Sequence, residues 1–183
     1  SFSLACILLC LLAHTSHADI PVLPWKLLNS TARPPDHFTQ GLVYADKQLF
    51  ESTGQYGKSR LIAYNAENLQ IQKQISLRPD VFGEGLTFLN SKLYQSSWKS
   101  REIFVYDTAL NPLQTLHINS DSWGLTTDGR SLIMSDGSDT LYFLDPATGT
   151  TMRTIVATDG SGQRRKNINE LEWVNGKILA NIW

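Results

Sequence analysis

The segment Glu84-Gly-Leu-Thr-Phe88 recurs in altered form along the chain. Related segments are Gln40-Gly-Leu-Val-Tyr, Trp123-Gly-Leu-Thr-Thr and Asn169-Glu-Leu-Glu-Trp, so that successive starts lie 44, 39 and 46 residues apart. A second apolar segment begins nine residues after every start, at Leu49, Leu93, Leu132 and Ile178. A fixed offset between two apolar segments in each unit indicates that the chain is built from structural repeats.

Each of the three complete units continues with two further segments that we predict to be strands. The third segments are Leu61–Tyr64, Ile103–Tyr106 and Leu141–Leu144, and the weaker fourth segments are 70–77, 113–118 and 152–157. They are short, rich in β-branched and aromatic residues, and bounded by Asp, Asn and Gly, which is typical of strands. This period is that of β-propeller blades, whereas a β-sandwich, the alternative, requires no fixed offset. We therefore predict an all-β propeller that is truncated at Trp183, inside its fourth unit.

The N-terminal residues have the features of an export signal. Residues 1–18 contain an uncharged apolar run from Phe2 to Ala13 and end in Ser16-His17-Ala18, a pattern that precedes signal-peptide cleavage. The run is shorter than the roughly 20 apolar residues that span a bilayer. We expect residues 1–18 to be an N-terminally incomplete signal peptide and 19–183 to be the propeller domain. The protein would then be secreted or periplasmic, with no stable membrane insertion.

The composition excludes several classes of function. The 16 Lys and Arg residues are balanced by 17 Asp and Glu residues, so no basic surface for nucleic acid is expected. Both cysteines, Cys6 and Cys10, lie in the predicted signal peptide, and only His37 and His117 follow it. The mature chain therefore has no cysteine nucleophile, no cysteine-ligated metal and too few histidines for a three-histidine zinc site.

The repeat places unlike residues at equivalent positions of the predicted propeller. The innermost strand of each blade lines the central channel, so the four start residues are expected at one channel mouth. These are Gln40, Glu84, Trp123 and Asn169, joined fourteen residues later by Gly54, Trp98, Gly137 and Trp183. The start residue differs in every unit while the flanking Gly-Leu is kept in three, which favours site-specific roles. The alternatives are packing between blades for the tryptophans and satisfaction of backbone groups for the amides.

Glu84 is the acidic residue with the strongest indication of a chemical role. Burial among indoles raises the pKa of a carboxyl group toward neutrality, and such a group suits general acid–base catalysis. We interpret Glu51 and Glu170 as structural because they lie away from the channel-facing register. We interpret Asp136 as a turn residue that caps its own backbone.

Six ordered motifs lie between residues 36 and 183. They are Phe38-Thr-Gln-Gly-Leu42, Glu51-Ser-Thr-Gly-Gln-Tyr-Gly57, Phe82-Gly-Glu-Gly-Leu-Thr87, Trp123-Gly-Leu-Thr126, Met134-Ser-Asp-Gly-Ser138 and Asn169-Glu-Leu-Glu172. In sequence and spacing they resemble the plant and bacterial type of glutaminyl-peptide cyclotransferase. The resemblance implies a five-bladed β-propeller that converts the N-terminal glutamine of peptides and proteins to pyroglutamate. Ammonia is released, and no cofactor or catalytic metal is implied.

The resemblance also implies a role for each matching residue. Glu84 corresponds to the catalytic acid–base, and the substrate pocket corresponds to Phe38, Gln40, Phe82, Trp98, Trp123, Asn169 and Trp183. A further blade of the family contributes a lysine to the pocket, and we expect that blade to follow Trp183.

Two other classes of function remain open at this stage. One is a calcium-dependent propeller hydrolase or lactonase, and the other is a non-catalytic propeller that binds ligands. Calcium takes six to eight oxygen ligands, so one carboxylate among the four start residues argues against the first class.

Overall fold

We describe a computed structural model of the protein that covers residue 24, residues 26–32 and residues 34–183. The predicted signal peptide, residues 1–18, lies outside these residues. The part of the chain that the structure describes forms fourteen strands and no helix. It accordingly contains no helical segment with the length and apolar character needed to cross a bilayer.

The strands form four antiparallel sheets, each made of consecutive strands. Sheet 1 contains β1 (Thr39–Ala45), β2 (Gln48–Thr53), β3 (Arg60–Asn65) and β4 (Ile71–Ser76). Sheet 2 contains β5 (Phe82–Leu89), β6 (Lys92–Trp98), β7 (Glu102–Tyr106) and β8 (Pro112–His117). Sheet 3 contains β9 (Leu125–Thr127), β10 (Leu132–Ser135), β11 (Thr140–Leu144) and β12 (Thr151–Val156). Sheet 4 contains β13 (Ile168–Val174) and β14 (Lys177–Ile182). The third and fourth strands of the complete units agree with their predicted bounds to within one residue.

The apolar core lies in layers between successive sheets. Phe50 and Leu61 of sheet 1 pack in one cluster with Leu93 of sheet 2. A second cluster joins sheet 2 to sheet 3, and Ile133 and Leu171 belong to a third that joins sheet 3 to sheet 4. The outermost strands β4, β8 and β12 are largely exposed. Sheets that pack face to face in sequence order, with one edge outward, have the arrangement of propeller blades.

The first strands of neighbouring sheets are close enough that only glycine fits between them. A Cβ atom added to the glycine of the repeat would lie no more than 2.4 Å from a backbone atom of the next sheet. The atoms are Leu86 N for Gly41, Leu125 N for Gly85, and Asn169 O for Gly124. The first strands β1, β5, β9 and β13 therefore lie side by side in chain order. The structure confirms the all-β fold and its repeated four-stranded sheets in a propeller-like arrangement, and the number of five blades stays a prediction.

Candidate active site

The start residues of the repeat lie where the pairing of the first strands is interrupted. The register of β1 against β2 shifts between Thr39 and Gly41, and similar shifts occur in β5 and β13. The residues inside the three shifts are Gln40, Glu84 with Gly85, and Asn169 with Glu170. A β-bulge leaves its extra residue outside the ladder and changes the direction of the side chain. The variable residues of the repeat are thus the ones that need not pair within their own sheet.

Trp123 occupies the equivalent place in sheet 3, directly ahead of β9. Its backbone N–H donates to the Ser135 carbonyl at 2.9 Å, and its carbonyl accepts the Gly85 N–H at 2.8 Å. The Ser135 hydroxyl accepts the Gly124 N–H at 2.8 Å and donates to the Asn169 carbonyl at 2.7 Å. One backbone bond therefore holds the start of sheet 3 beside that of sheet 2, and the Ser135 hydroxyl links it to that of sheet 4.

Glu84 and Gln40 form a hydrogen bond between the first two sheets. The Gln40 Nε2 group donates to Glu84 Oε2 at 2.7 Å, and the Glu84 residue is only 6% exposed. Burial raises the pKa of Glu84 from 4.5 to about 8, while the hydrogen bond from Gln40 acts in the opposite direction. A carboxyl group with this pKa can give up or accept a proton near neutral pH.

Three aromatic rings lie around Phe82, two residues before Glu84. Its ring centroid is 6.1 Å from that of Phe38, 5.5 Å from that of Tyr56 and 5.8 Å from that of Trp98. All three contacts are edge-to-face, a preferred arrangement of aromatic pairs. We call Phe38, Tyr56, Phe82 and Trp98 the aromatic wall. Tyr56 was not among the residues predicted from the sequence.

Two glycines make room for aromatic rings at the position fourteen residues after a start. A Cβ atom on Gly54 would lie 2.3 Å from the Phe82 ring. A Cβ atom on Gly137, whose φ is +80°, would lie 2.7 Å from the Trp123 indole. Gly54 thus leaves space for a ring of the neighbouring sheet, and Gly137 leaves space for a ring of its own sheet.

The predicted pocket residues differ in how closely the structure brings them together. Gln40, Phe38, Phe82 and Trp98 are linked to Glu84 or to one another by side-chain contacts. Trp123 and Asn169 adjoin the site through their carbonyl groups, which accept hydrogen bonds from the Gly85 N–H and the Ser135 hydroxyl. The backbone N–H of Trp183 donates to the Asn167 carbonyl at 2.8 Å, and the residue is 77% exposed. Within the described part of the chain its indole has no aromatic ring contact.

Glu51 and Asp136 have the structural contacts that we expected of them. The buried Glu51 carboxylate accepts a 2.5 Å hydrogen bond from the Tyr64 hydroxyl and lies 3.3 Å from His37 Nδ1. The Asp136 carboxylate accepts hydrogen bonds from the Ser138 N–H at 3.0 Å and from the Ser138 hydroxyl. Glu51 joins side chains from different parts of sheet 1, and Asp136 caps its own turn.

Glu170 lies one residue after the start residue Asn169, and its carboxylate is buried. It takes the place of the repeat glycine in sheet 4, and its carboxylate reaches the first strands of the other sheets near the Leu86 and Leu125 amides. Both carboxylate oxygens are buried, and neither has a hydrogen-bond partner of normal geometry among the described residues. Burial, followed by the charges of Glu172 and Glu84, raises its pKa well above the ordinary value. The interpretation of Glu170 as a structural residue stays a prediction. In the sequence, the burial of Glu170 among the first strands is indicated by the replacement of the repeat glycine in the fourth unit.

Together, the fold and the site define a propeller-like protein with a buried, hydrogen-bonded carboxylic acid beside an aromatic wall. The sequence profile of the glutamine cyclotransferase family matches residues 2–183. The glutaminyl-peptide cyclotransferase of Arabidopsis thaliana is 41% identical over 155 residues, covering 81% of this chain and 47% of that protein. The chain thus spans about half the length of this curated relative. The chain belongs to the glutamine cyclotransferase family.

Solved structures support both the family and the fold. The crystal structure of the Myxococcus xanthus glutaminyl cyclase is similar with a TM-score of 0.73 and 32% identity. This match covers 81% of the present chain and 62% of the other. The WD40 repeats of RRP9 match with a TM-score of 0.55 and 14% identity over 68% of this chain and 40% of theirs. At that identity the likeness concerns the fold alone, and WD40 repeats are propeller blades.

Proposed function

We propose that this protein converts the N-terminal glutamine of peptides and proteins to pyroglutamate with release of ammonia, and that Glu84 shuttles the proton. One observation carries the proposal. Glu84 is buried beside an aromatic wall, has a pKa of about 8 and is hydrogen-bonded by Gln40, in a member of the glutamine cyclotransferase family.

The reaction is intramolecular, so much of the rate can come from holding the substrate in a ring-closing conformation. The rings of Phe82 and Trp98 offer apolar surface to the two side-chain methylenes of the substrate glutamine. The same rings would exclude water, which could otherwise attack the amide and give glutamate. Trp123, Trp183 and Asn169 would complete the pocket, as the family resemblance implies.

The proton transfers balance with Glu84 as the single acid–base. The neutral α-amine of the substrate attacks its own δ-carbonyl carbon, forming a C–N bond and placing negative charge on the amide oxygen. The Glu84 carboxylate accepts a proton from the attacking nitrogen and then donates it to the departing nitrogen. The original C–N bond breaks, the carbonyl re-forms and ammonia leaves. One group can serve both nitrogens because both are bonded to the same carbon in the intermediate.

The site chemistry favours this function over the two alternatives. A calcium-dependent hydrolase requires oxygen atoms directed toward the ion, whereas Gln40 directs an N–H donor at Glu84. A binding module would not require a carboxyl group with a pKa near neutrality. We propose in addition that the protein is exported, as the sequence pattern of residues 1–18 suggests, and that its blades number five.

The test is an assay of the purified full-length protein with Gln-initiated peptides. We expect ammonia release together with a peptide mass loss of one ammonia molecule. Peptides that begin with asparagine serve as the substrate control. The Glu84→Gln variant should lose the activity while keeping its circular dichroism spectrum. The Glu67→Gln variant, altered in an exposed turn, is the matched control and should retain it. Normal turnover by Glu84→Gln would contradict the role of Glu84, and no turnover by the wild type would contradict the function.

A further inference from the structure

Tyr56 is the most exposed ring of the aromatic wall. It is 51% exposed, against 44% for Phe38, and its ring centroid lies 5.5 Å from that of Phe82. An exposed aromatic residue that continues a partly buried aromatic surface offers apolar area to whatever lies outside the pocket. The proton-transfer steps proposed above make no use of this ring.

The loop that carries Tyr56 is fixed to sheet 2, which supplies Phe82. The Gly57 N–H donates to the Pro79 carbonyl at 2.9 Å. The Ser59 hydroxyl accepts the Gly83 N–H at 3.0 Å. Gln55 has a φ of +84° and Gly57 one of +72°, so the loop makes a tight turn around Tyr56. The ring is therefore held in place before a ligand arrives, and little conformational entropy would be lost on contact.

We infer that Tyr56 contacts the side chain of the substrate residue that follows the N-terminal glutamine, and that it favours apolar or aromatic residues there. The inference rests on the proposed function. The reacting amide must lie at Glu84, two residues from Phe82, while the remainder of a peptide or protein must extend toward solvent. The second substrate residue is joined to the reacting glutamine by a single peptide bond. The exposed ring at the outer part of the aromatic wall is suited to receive it.

An aromatic side chain in this position would form another edge-to-face or stacked pair. Such pairs are worth about 0.5–1.5 kcal/mol beyond the apolar area that they bury, which corresponds to roughly 2- to 12-fold in kcat/KM. The effect should follow the ring and not the hydroxyl group of Tyr56.

The experiment measures kcat/KM of the full-length protein for two dipeptide amides, Gln-Phe and Gln-Ala. We expect the wild type to prefer Gln-Phe, Tyr56→Ala to reduce the Gln-Phe to Gln-Ala ratio about fivefold, and Tyr56→Phe to keep it. Tyr44→Ala is the matched control, because Tyr44 is 65% exposed on β1, at the opposite end of the strand from Gln40.

The outcomes separate this inference from the function on which it rests. Ammonia release with the same ratio in Tyr56→Ala as in the wild type would overturn the inference alone. An equal loss of preference in Tyr56→Phe would also overturn it, because the hydroxyl group would then be the recognition element. If the wild type released ammonia from neither peptide, the proposed function would fail and this inference with it.

Discussion

The side-chain amide of Gln40 donates a 2.7 Å hydrogen bond to Glu84 across the boundary between two sheets. Both residues lie in the register shifts of their own strands, so neither side chain is committed to its own sheet. The bond lowers the pKa of Glu84 while burial raises it to about 8. The protonation of the carboxyl group thus depends on how two neighbouring sheets are packed.

Removing the amide should change the pH dependence of turnover. In Gln40→Ala the opposing hydrogen bond is lost, so the pKa of Glu84 should rise further. The rising limb of kcat/KM against pH, which requires the Glu84 carboxylate, should move to higher pH. Because hydrogen bonds to charged groups are worth about 1.5–3 kcal/mol, kcat/KM at pH 7 should fall about tenfold or more.

The matched control for this variant is Gln48→Ala. Gln48 also makes a side-chain amide hydrogen bond, to Gln72 at 2.6 Å, but both residues lie at the exposed end of sheet 1. Its pH profile should match that of the wild type. A profile for Gln40→Ala that kept the wild-type midpoint would show that the bond does not set the protonation of Glu84.

A buried carboxyl group with a raised pKa should also make stability depend on pH. The pKa of Glu84 is about 8 in the folded protein and near 4.5 when the group is exposed. The contribution of Glu84 to the unfolding free energy is therefore fully present below pH 4.5 and is lost as the pH rises through 8. Relative to Glu84→Gln, the wild type should lose about 4 kcal/mol of unfolding free energy over this window. Urea denaturation of both proteins between pH 4 and pH 9 measures the difference, and parallel curves would contradict it.

The fold was predictable because the structural repeat produces a regular pattern of apolar residues in the sequence. Apolar pairs such as Leu49-Phe50 and Leu93-Tyr94 recur at a fixed offset, because equivalent strands must fill equivalent layers between sheets. The recurrence of glycine directly after a start residue, at Gly41, Gly85 and Gly124, has an equally physical cause, since each lies in backbone contact with the next sheet. The sequence displays the glycines, but only the structure gives the reason for them.

The remainder of the site depends on relations that a single sequence does not contain. Tyr56 lies in a loop outside the aligned strands, and its place beside Phe82 depends on the bond between Gly57 and Pro79, in the connection from sheet 1 to sheet 2. Glu170 follows the start residue Asn169, and strict alternation along a strand would direct these two side chains to opposite faces. The bulge between Ile168 and Leu171 breaks that alternation.

Glu84 and Glu170 should respond in opposite ways to replacement by the isosteric amide. Glu170 has a pKa raised well above its ordinary value by burial and by the charges of Glu172 and Glu84, so its protonated form is favoured. Gln resembles that protonated form, and Glu170→Gln should keep activity within about threefold. Glu170→Ala leaves a cavity among the first strands and should lower the unfolding free energy by about 1–3 kcal/mol.

Ammonia release and urea denaturation of these variants would measure both effects. Glu84→Gln is compared with Glu170→Gln, because it makes the same chemical change at the residue that must accept and donate the proton during the proposed reaction. Complete loss of activity in a folded Glu170→Gln protein would show that the Glu170 charge takes part in the reaction.

The close approach of the first strands leads to a prediction about Gly85. A Cβ atom there would lie 2.4 Å from Leu125 N and 2.7 Å from the Gly124 carbonyl carbon, so β5 and β9 must separate in Gly85→Ala. Overpacking of this kind costs about 1–3 kcal/mol, and displacement of the adjacent Glu84 should lower kcat/KM at least tenfold. Gly129→Ala is the control, because Gly129 has a φ of +84° but open space around it. The unfolding free energy of Gly129→Ala should fall by about 1 kcal/mol because of backbone strain, and its activity should be unchanged. Equal activity of the two variants in the ammonia assay would mean that the contact between the first strands does not position Glu84.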